Sequence, residues 1–170
     1  FFIMFATVVL GYISEIAEVV FKDNELKNIS NELRCEIEKG INKYGIIYTE
    51  EFGDIYAYEV DGLGNYNLMD DANVPSLLSI PYIEYKDIDD EIYQNTRKFI
   101  LSKNNPYYYE GSVAKGIGSP HTPPEYIWHI SLSMQGLTTK NEKEILDLIN
   151  TLINSDGNTG YMHEGFHCDD

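Results

Sequence analysis

Three short stretches carry side chains able to hold hydroxyl groups or move a proton. The first is Met69-Asp70-Asp71-Ala72-Asn73-Val74-Pro75, two carboxylates and an amide within four positions. Read as a helix start, one aspartate caps the helix and sits at the positive end of its dipole. The other, together with Asn73, is left to contact ligand hydroxyls. The second stretch runs from Gly116-Ile117-Gly118-Ser119-Pro120 through His121, Thr122, Trp128 and His129. Glycine permits close backbone approach. His121 and Thr122 offer polar contacts, and an indole face such as that of Trp128 suits the apolar side of a sugar ring. The same residues also read as plain structure, with Trp128 in a core and His121 on a surface.

The third stretch is His163-Glu164-Gly165-Phe166-His167. As a string it matches His-Glu-x-x-His, a zinc peptidase pattern that needs both histidines on one face of a solid helix. Here a glycine-rich loop precedes the pattern, Gly165 lies inside it, and no third ligand follows. The chemistry that fits better is a general base: Glu164, at the start of an element, activating a water. No cofactor and no metal is expected. Neither a serine nucleophile in a tight turn nor a cysteine dyad is visible. Sugar hydrolysis requires two carboxyl groups, one acid and one base or nucleophile, and Glu164 supplies one.

The elements that must position these groups are mostly helical. Apolar residues recur at Phe5, Val8, Val9, Tyr12, Ile13, Ile16, Val19 and Val20, which predicts a wide-faced, largely buried helix from Phe5 to Phe21. A second helix is predicted from about Glu25 to Lys43, with Leu26, Ile29, Leu33, Ile37 and Ile41 on one narrow stripe and Gly45 at its end. The period then changes. Ile46-Ile47-Tyr48 and Ile55 to Val60 flank a Glu51-Phe52-Gly53-Asp54 turn, a short hairpin. A short helix is predicted from Ala72 to Ile80, and another from Asp89 to Leu101 with Ile92, Tyr93, Thr96, Phe99 and Ile100 inward. Thr122-Pro123-Pro124-Glu125 reads as a capping box that opens a helix to Gln135. Thr139-Lys140-Asn141-Glu142 reads as a second box, opening a helix to Asn154 with Leu146, Ile149, Leu152 and Ile153 on the core side. The pattern is a mostly α architecture of inner and outer helices, with polar loops at one end. No strand–helix–strand alternation and no phosphate-binding glycine loop is present.

The totals bound the rest. With 170 residues, 43% of them hydrophobic, a single domain with a real core is expected. A net charge of −16 and a pI near 4.4 argue against nucleic acid and against anionic membrane surfaces as partners. The 14 tyrosines suit a polyhydroxylated ligand, and equally suit ordinary packing. Cys35 and Cys168 form no spaced framework, which points to a reducing, cytoplasmic compartment. The apolar opening Phe1 to Leu10 has no basic region before it, no cleavage site after it, and is too short to span a bilayer. Both ends of the sequence read as cut.

Longer blocks carry a resemblance. Tyr58 through Asn65, Met69 through Leu78, Asn95-Thr96-Arg97, Asn104 through Tyr108, Gly116 through His129 and Met162-His163-Glu164 are similar to glycoside hydrolase family 125. The resemblance covers most of the chain from about Tyr56, and the helix Met4 to Val20 also looks like that family. It implies a partial (α/α)6 barrel of helical hairpins with a short β-hairpin. It implies inverting, metal-independent exo-hydrolysis of terminal α-1,6-linked mannose, with an α-mannoside glycan as partner. Glu164 falls on the general base. The general acid, an aspartate, falls upstream of Phe1, so residues 1–170 alone are expected to be inactive. Asp71, Asn73, His121, Thr122 and Trp128 are expected to shape the sugar site, with Asp70 as the helix cap. The rival reading is a non-catalytic helical module that binds mannose. The peptidase reading, in contrast to both, predicts stoichiometric zinc. Elemental analysis of the purified protein is expected to find less than that, and one zinc per chain would revive the peptidase.

Overall fold

Two long helices open the fold. The computed structural model describes residues 2–170; Phe1, the first residue of the apolar opening, lies outside them. Helix α1 (Phe2–Ile16) continues through one π-helical turn, Ala17–Phe21, which Lys22 ends in the left-handed conformation. Asp23 then caps helix α2 (Asn24–Tyr44) by accepting from the Leu26 amide at 3.0 Å. Gly45 closes α2, as the sequence suggested, with its amide on the Ile41 carbonyl. The two helices form a hairpin through a stripe of small residues, Thr7, Gly11 and Ser14 on α1 and Ala17 in the π-helical turn. Small residues let helix axes approach. Gly11 is one of the closest points, since a Cβ there would lie 3.1 Å from an Arg34 guanidinium nitrogen.

This corrects the expectation that the first helix is largely buried. Phe5, Tyr12, Ile13, Ile16, Val19 and Val20 are all exposed. Only the face toward α2 is covered among the described residues. The apolar run is also longer than its first ten residues: Phe2–Phe21 is long and apolar enough, by length and composition, to cross a bilayer. In α2, Ile41 is buried while Leu26, Ile29 and Leu33 are exposed.

Strands β1 (Ile46–Thr49) and β2 (Gly53–Tyr56) form the expected hairpin, with Ile46 opposite Tyr56 and Thr49 opposite Gly53. Strands β3 (Glu59–Val60) and β4 (Tyr66–Asn67) add a second, very short one. Helix α3 (Glu91–Ile100) packs on β2. Thr96 joins the two, accepting from the Tyr56 amide at 2.8 Å and donating to the Ile92 carbonyl. Around this joint lies the main core, built from Ile55, Tyr56, Leu77, Leu78, Ile80, Tyr93, Phe99 and Ile100 with others.

No helix forms at residues 72–80. Regular helix there would send the Leu77 and Leu78 amides to carbonyls four residues back. They go instead to the two carboxylate oxygens of Asp70, at 2.9 and 3.2 Å. Ser76 and Ser79 bond each other's amides, and Ala72 sits at φ 52°. The result is a buried chain of turns.

Strands β5 (Tyr108–Glu110) and β6 (Lys115–Ile117) pair next. The helix expected from Pro123 is absent at its start. Residues 126–128 are strand β7 (Tyr126–Trp128), and helix α4 begins only at His129 (His129–Leu137). Glu125 is left-handed at φ 68°, which ends any helical turn, and its carbonyl accepts from the Cys168 amide at 2.9 Å. Thr122 does not cap; its hydroxyl donates to the Ser119 carbonyl. β7 pairs antiparallel with β8 (Gly165–His167), forty residues on, a partner no local capping signal reveals. A second cluster of Ala114, Ile127, Leu132, Leu148 and Cys168 sits beneath this pair.

Helix α5 (Glu142–Asn154) is capped by Asn141, which accepts from the Lys143 and Glu144 amides, rather than by Thr139. Its buried residue is Leu148; the stripe Leu146, Ile149 and Ile153 is exposed. Helices α3, α4 and α5 meet at Glu144. Its carboxylate accepts from Arg97 at 2.7 Å, from Gln135 at 2.7 Å and from the Thr139 hydroxyl at 2.6 Å. Burial pushes the Glu144 carboxyl up, but these three donors outweigh it and hold it below the usual range. Arg97→Met leaves the shielded carboxylate with its charge uncompensated. It is expected to cost about 2–3 kcal/mol at neutral pH. A carboxyl with a depressed folded pKa gives stability that is present at neutral pH and lost on acidification. The penalty should therefore shrink as pH falls through the carboxylate range, as urea midpoints at two pH values would show.

Candidate active site

Asp70 is the anchor of the first polar segment. It has no solvent exposure, and both its oxygens accept backbone amides. Burial pushes its pKa up to about 7, the Leu77 and Leu78 amides oppose that, and the neighbouring charge of Asp71 adds to it. Asp70 was expected to cap a helix; no helix forms, and its carboxylate holds the turn amides instead. Asp71 is also buried, at 4% exposure. Its Oδ1 accepts from the Asn73 amide at 3.2 Å, and Tyr58 hydrogen-bonds its carboxylate. Burial, with Asp71 and Asp70 beside it, holds the Tyr58 hydroxyl protonated well above the ordinary tyrosine range, so Tyr58 is the donor. Asn73 itself is exposed. Asp71 and Asn73 thus stand together, with one half of the pair at the surface.

Asn105 ties this segment to the next. It is buried, accepts from the Asp70 and Tyr107 amides, and donates to the carbonyls of Asp70 at 2.8 Å and Ile100 at 3.0 Å. The Gly118 amide bonds the Tyr107 carbonyl at 2.8 Å, and Ser119 receives the His121 amide on its hydroxyl. A Cβ at Gly118 would lie 2.0 Å from the Tyr126 carbonyl, so no other residue fits there. Ser131 closes the far side by donating to the carbonyls of Ile117 and Trp128. His121 is exposed and Thr122 half-buried on the resulting loop.

Trp128 departs from its expected role. It is 8% exposed, so its indole is not an open platform, and its Nε1–H has no partner among the described residues. It pairs with Gly165, where a Cβ would meet the Ile127 carbonyl at 2.8 Å and the indole edge at 3.3 Å. Glu164 therefore leaves the sheet beside Trp128, and it is exposed. The register joins Trp128 to Glu164, and the hydrogen-bonded backbone joins Asp71 to His121 and Thr122. Tyr58, Asn105 and Ser131 were not among the residues singled out by type and spacing. Tyr58 and Asn105 fall within the longer blocks of resemblance; Ser131 had no signal.

The His-Glu-x-x-His string folds as loop and strand, so its histidines share no helix face. His163 Nε2 is engaged by the Asp156 carbonyl and Thr159 hydroxyl, both at 3.0 Å. His167 Nδ1 accepts from the Asp169 amide, and its Nε2 lies 3.6 Å from Glu125. His167, Cys168 and Asp169 bring ligand atoms within 4.8 Å of one another. The Asp169 carboxylate, however, already receives the Ser112 amide at 2.6 Å. These groups close a turn.

A mostly helical scaffold that presents acids, an amide and an exposed glutamate on polar loops is compatible with sugar hydrolysis, and the relatives of the chain give the class. The chain belongs to glycoside hydrolase family 125, the metal-independent α-mannosidases, whose family model matches residues 2–170. The Meiotically up-regulated gene 157 protein of Schizosaccharomyces pombe is 50% identical over 130 residues, 76% of this chain and 26% of that protein. A Streptococcus pneumoniae metal-independent α-mannosidase, solved as a non-productive substrate complex with α-1,6-mannobiose, is 49% identical. It superposes with a TM-score of 0.95 over 99% of this chain and 40% of that one. The 170 residues thus span well under half the length of these relatives.

Asp70 also makes a stability prediction. Its folded pKa of about 7 lies above the ordinary aspartate value of 3.8. Between those values the folded state holds a proton that the unfolded chain releases, so stability falls as pH rises and levels off above the window. The size of the effect is on the order of 4 kcal/mol at most. Asp70→Asn should be less stable at acid pH, through one lost amide acceptor, and should lack this fall. Denaturant midpoints from pH 4 to 8 check it; parallel curves for the two proteins would reject it.

Proposed function

We propose that the polypeptide carrying this sequence is an inverting exo-α-1,6-mannosidase, with Glu164 as general base. The observation that carries the reading is the superposition of essentially the whole chain on a mannosidase captured with α-1,6-mannobiose. The exposed position of Glu164 on a loop beside the β7–β8 pair supports it further. In a single displacement, an acid protonates the leaving oxygen while Glu164 takes a proton from a water attacking the opposite face of the ring. Inversion needs the two carboxyl groups about 6.5–9.5 Å apart, leaving room for that water. Asp70 and Asp71 are committed to backbone amides and to Tyr58. By the resemblance to the family, the acid is an aspartate upstream of Phe1. Asp71, Asn73, His121 and Thr122 orient sugar hydroxyls, the Asp71 carboxylate through the oxygen capacity left beside Tyr58 and the Asn73 amide.

The same reading explains the bare helix faces. The exposed stripes of α1 and α5 belong inside an (α/α)6 barrel, of which these residues are one part, and the remaining helices cover them. An amphipathic stripe this wide is otherwise an aggregation hazard in water.

Three measurements test the proposal together. In the full-length protein, Glu164→Gln should lower turnover of α-1,6-mannobiose by on the order of 10²–10⁴-fold. Proton NMR should find β-mannose as the first product. Residues 1–170 alone should release no mannose. An intact rate in the Gln variant, or α-mannose as first product, would overturn the base assignment or the inversion respectively.

A further inference from the structure

The loop that carries Glu164 is closed on itself. Asp156 accepts the amides of Asn158 at 3.0 Å and Gly160 at 2.9 Å, and His163 Nε2 ties back to the Asp156 carbonyl and the Thr159 hydroxyl. Residues 157–164 are otherwise exposed. Such a unit is internally stiff, but its direction depends on where its two ends are fixed. One end is Ser155, the buried residue that closes α5; the other is Phe166 in β8.

Both ends meet at one side chain. His129, the first residue of α4, is 1% exposed. Its Nε2 lies 3.2 Å from the Ser155 carbonyl and 2.9 Å from the Ser155 hydroxyl oxygen. That hydroxyl gives its own proton to the Leu152 carbonyl at 3.3 Å. Both Ser155 atoms therefore accept, and Nε2 carries the imidazole proton. The ring of His129 also lies 5.0 Å from the ring of Phe166. Its Nδ1 is buried without a partner. A merely structural core position would be filled as well by an apolar ring, with no orphan nitrogen.

We infer that His129 is a positioning residue for Glu164, clasping both ends of its loop and so fixing where the glutamate points. This rests on Glu164 being the base. Small misplacements of a reacting group cost rate far more than binding, on the order of 10–100-fold. The test uses the full-length enzyme, α-1,6-mannobiose, and amide hydrogen exchange over residues 156–164. His129→Phe keeps a ring against Phe166 and removes the donor. It should lower kcat by on the order of 10–100-fold with KM within about twofold, and speed exchange in 156–164. His129→Gln places an amide N–H near the Nε2 position and should recover much of both; His129→Asn, too short, should recover neither. If His129→Phe fails to fold, Ser155→Ala removes one acceptor and should speed the same exchange with the fold kept. Wild-type kcat and exchange in His129→Phe overturns the inference, as does a fall in kcat with unchanged exchange. Glu164→Gln is assayed alongside. If that variant keeps its rate, the base assignment is what fails, and the exchange data still decide whether His129 clasps the loop.

Discussion

The fold around the candidate site depends on a pairing of three residues with three. Tyr126–Trp128 against Gly165–His167 is the smallest of sheets, yet it joins chain segments about forty residues apart and fixes where Glu164 emerges. Ile127 and Leu132 pack beneath it, Glu125 and Cys168 extend it by one backbone bond, and His129 begins a helix at its edge. Isolated two-stranded pairs are marginal in water. This one persists because a buried cluster covers one face and because Gly165 lets the strands close to a distance any side chain would prevent.

A second constraint is electrostatic. Asp70 is sealed from water and oriented by backbone amides, so a segment without regular secondary structure has one shape. Asn105 copies that shape into the next loop by using both ends of its amide. Buried polar networks are costly when incomplete and rigid when satisfied. Here the rigidity passes from Tyr58 and Asp71, through Asn105 and Tyr107, to the backbone that carries His121. Loops can hold binding groups at defined positions only when something of this kind replaces the hydrogen-bond ladder of a helix.

Much of the scaffold was legible in the residues. The α3 stripe of Tyr93, Thr96, Phe99 and Ile100, the β1–β2 hairpin and the Gly45 stop all follow from local periodicity and turn chemistry. What failed had a common cause. Thr122-Pro123-Pro124-Glu125 has the composition of a capping box, but a strand partner near residue 167 outcompetes the local bonds. Asp70 looks like a helix cap and is instead the acceptor for amides seven and eight residues away. The long apolar helix reads as buried because its composition is apolar almost all round, yet among the described residues only its face toward α2 is covered. Of the site, the proximity of Asp71 and Asn73 follows from their spacing, whereas the strand pairing that sets Glu164 beside Trp128 has no local signal. The burial of Trp128 has none either, since spacing says nothing of depth.

The two cysteines stand at opposite ends of a reactivity scale. Cys35 is on the surface, whereas Cys168 is buried under the β7–β8 pair, with its backbone amide and carbonyl both engaged. Burial, then the negative charges of Asp169 and Glu125, push its thiol up, so little thiolate forms. An oxidant or alkylating agent can reach that sulfur only after the strands part. Access to that sulfur and the position of Glu164 thus depend on the same short strand pair, so a chain that keeps the pair closed also keeps its buried thiol from modification.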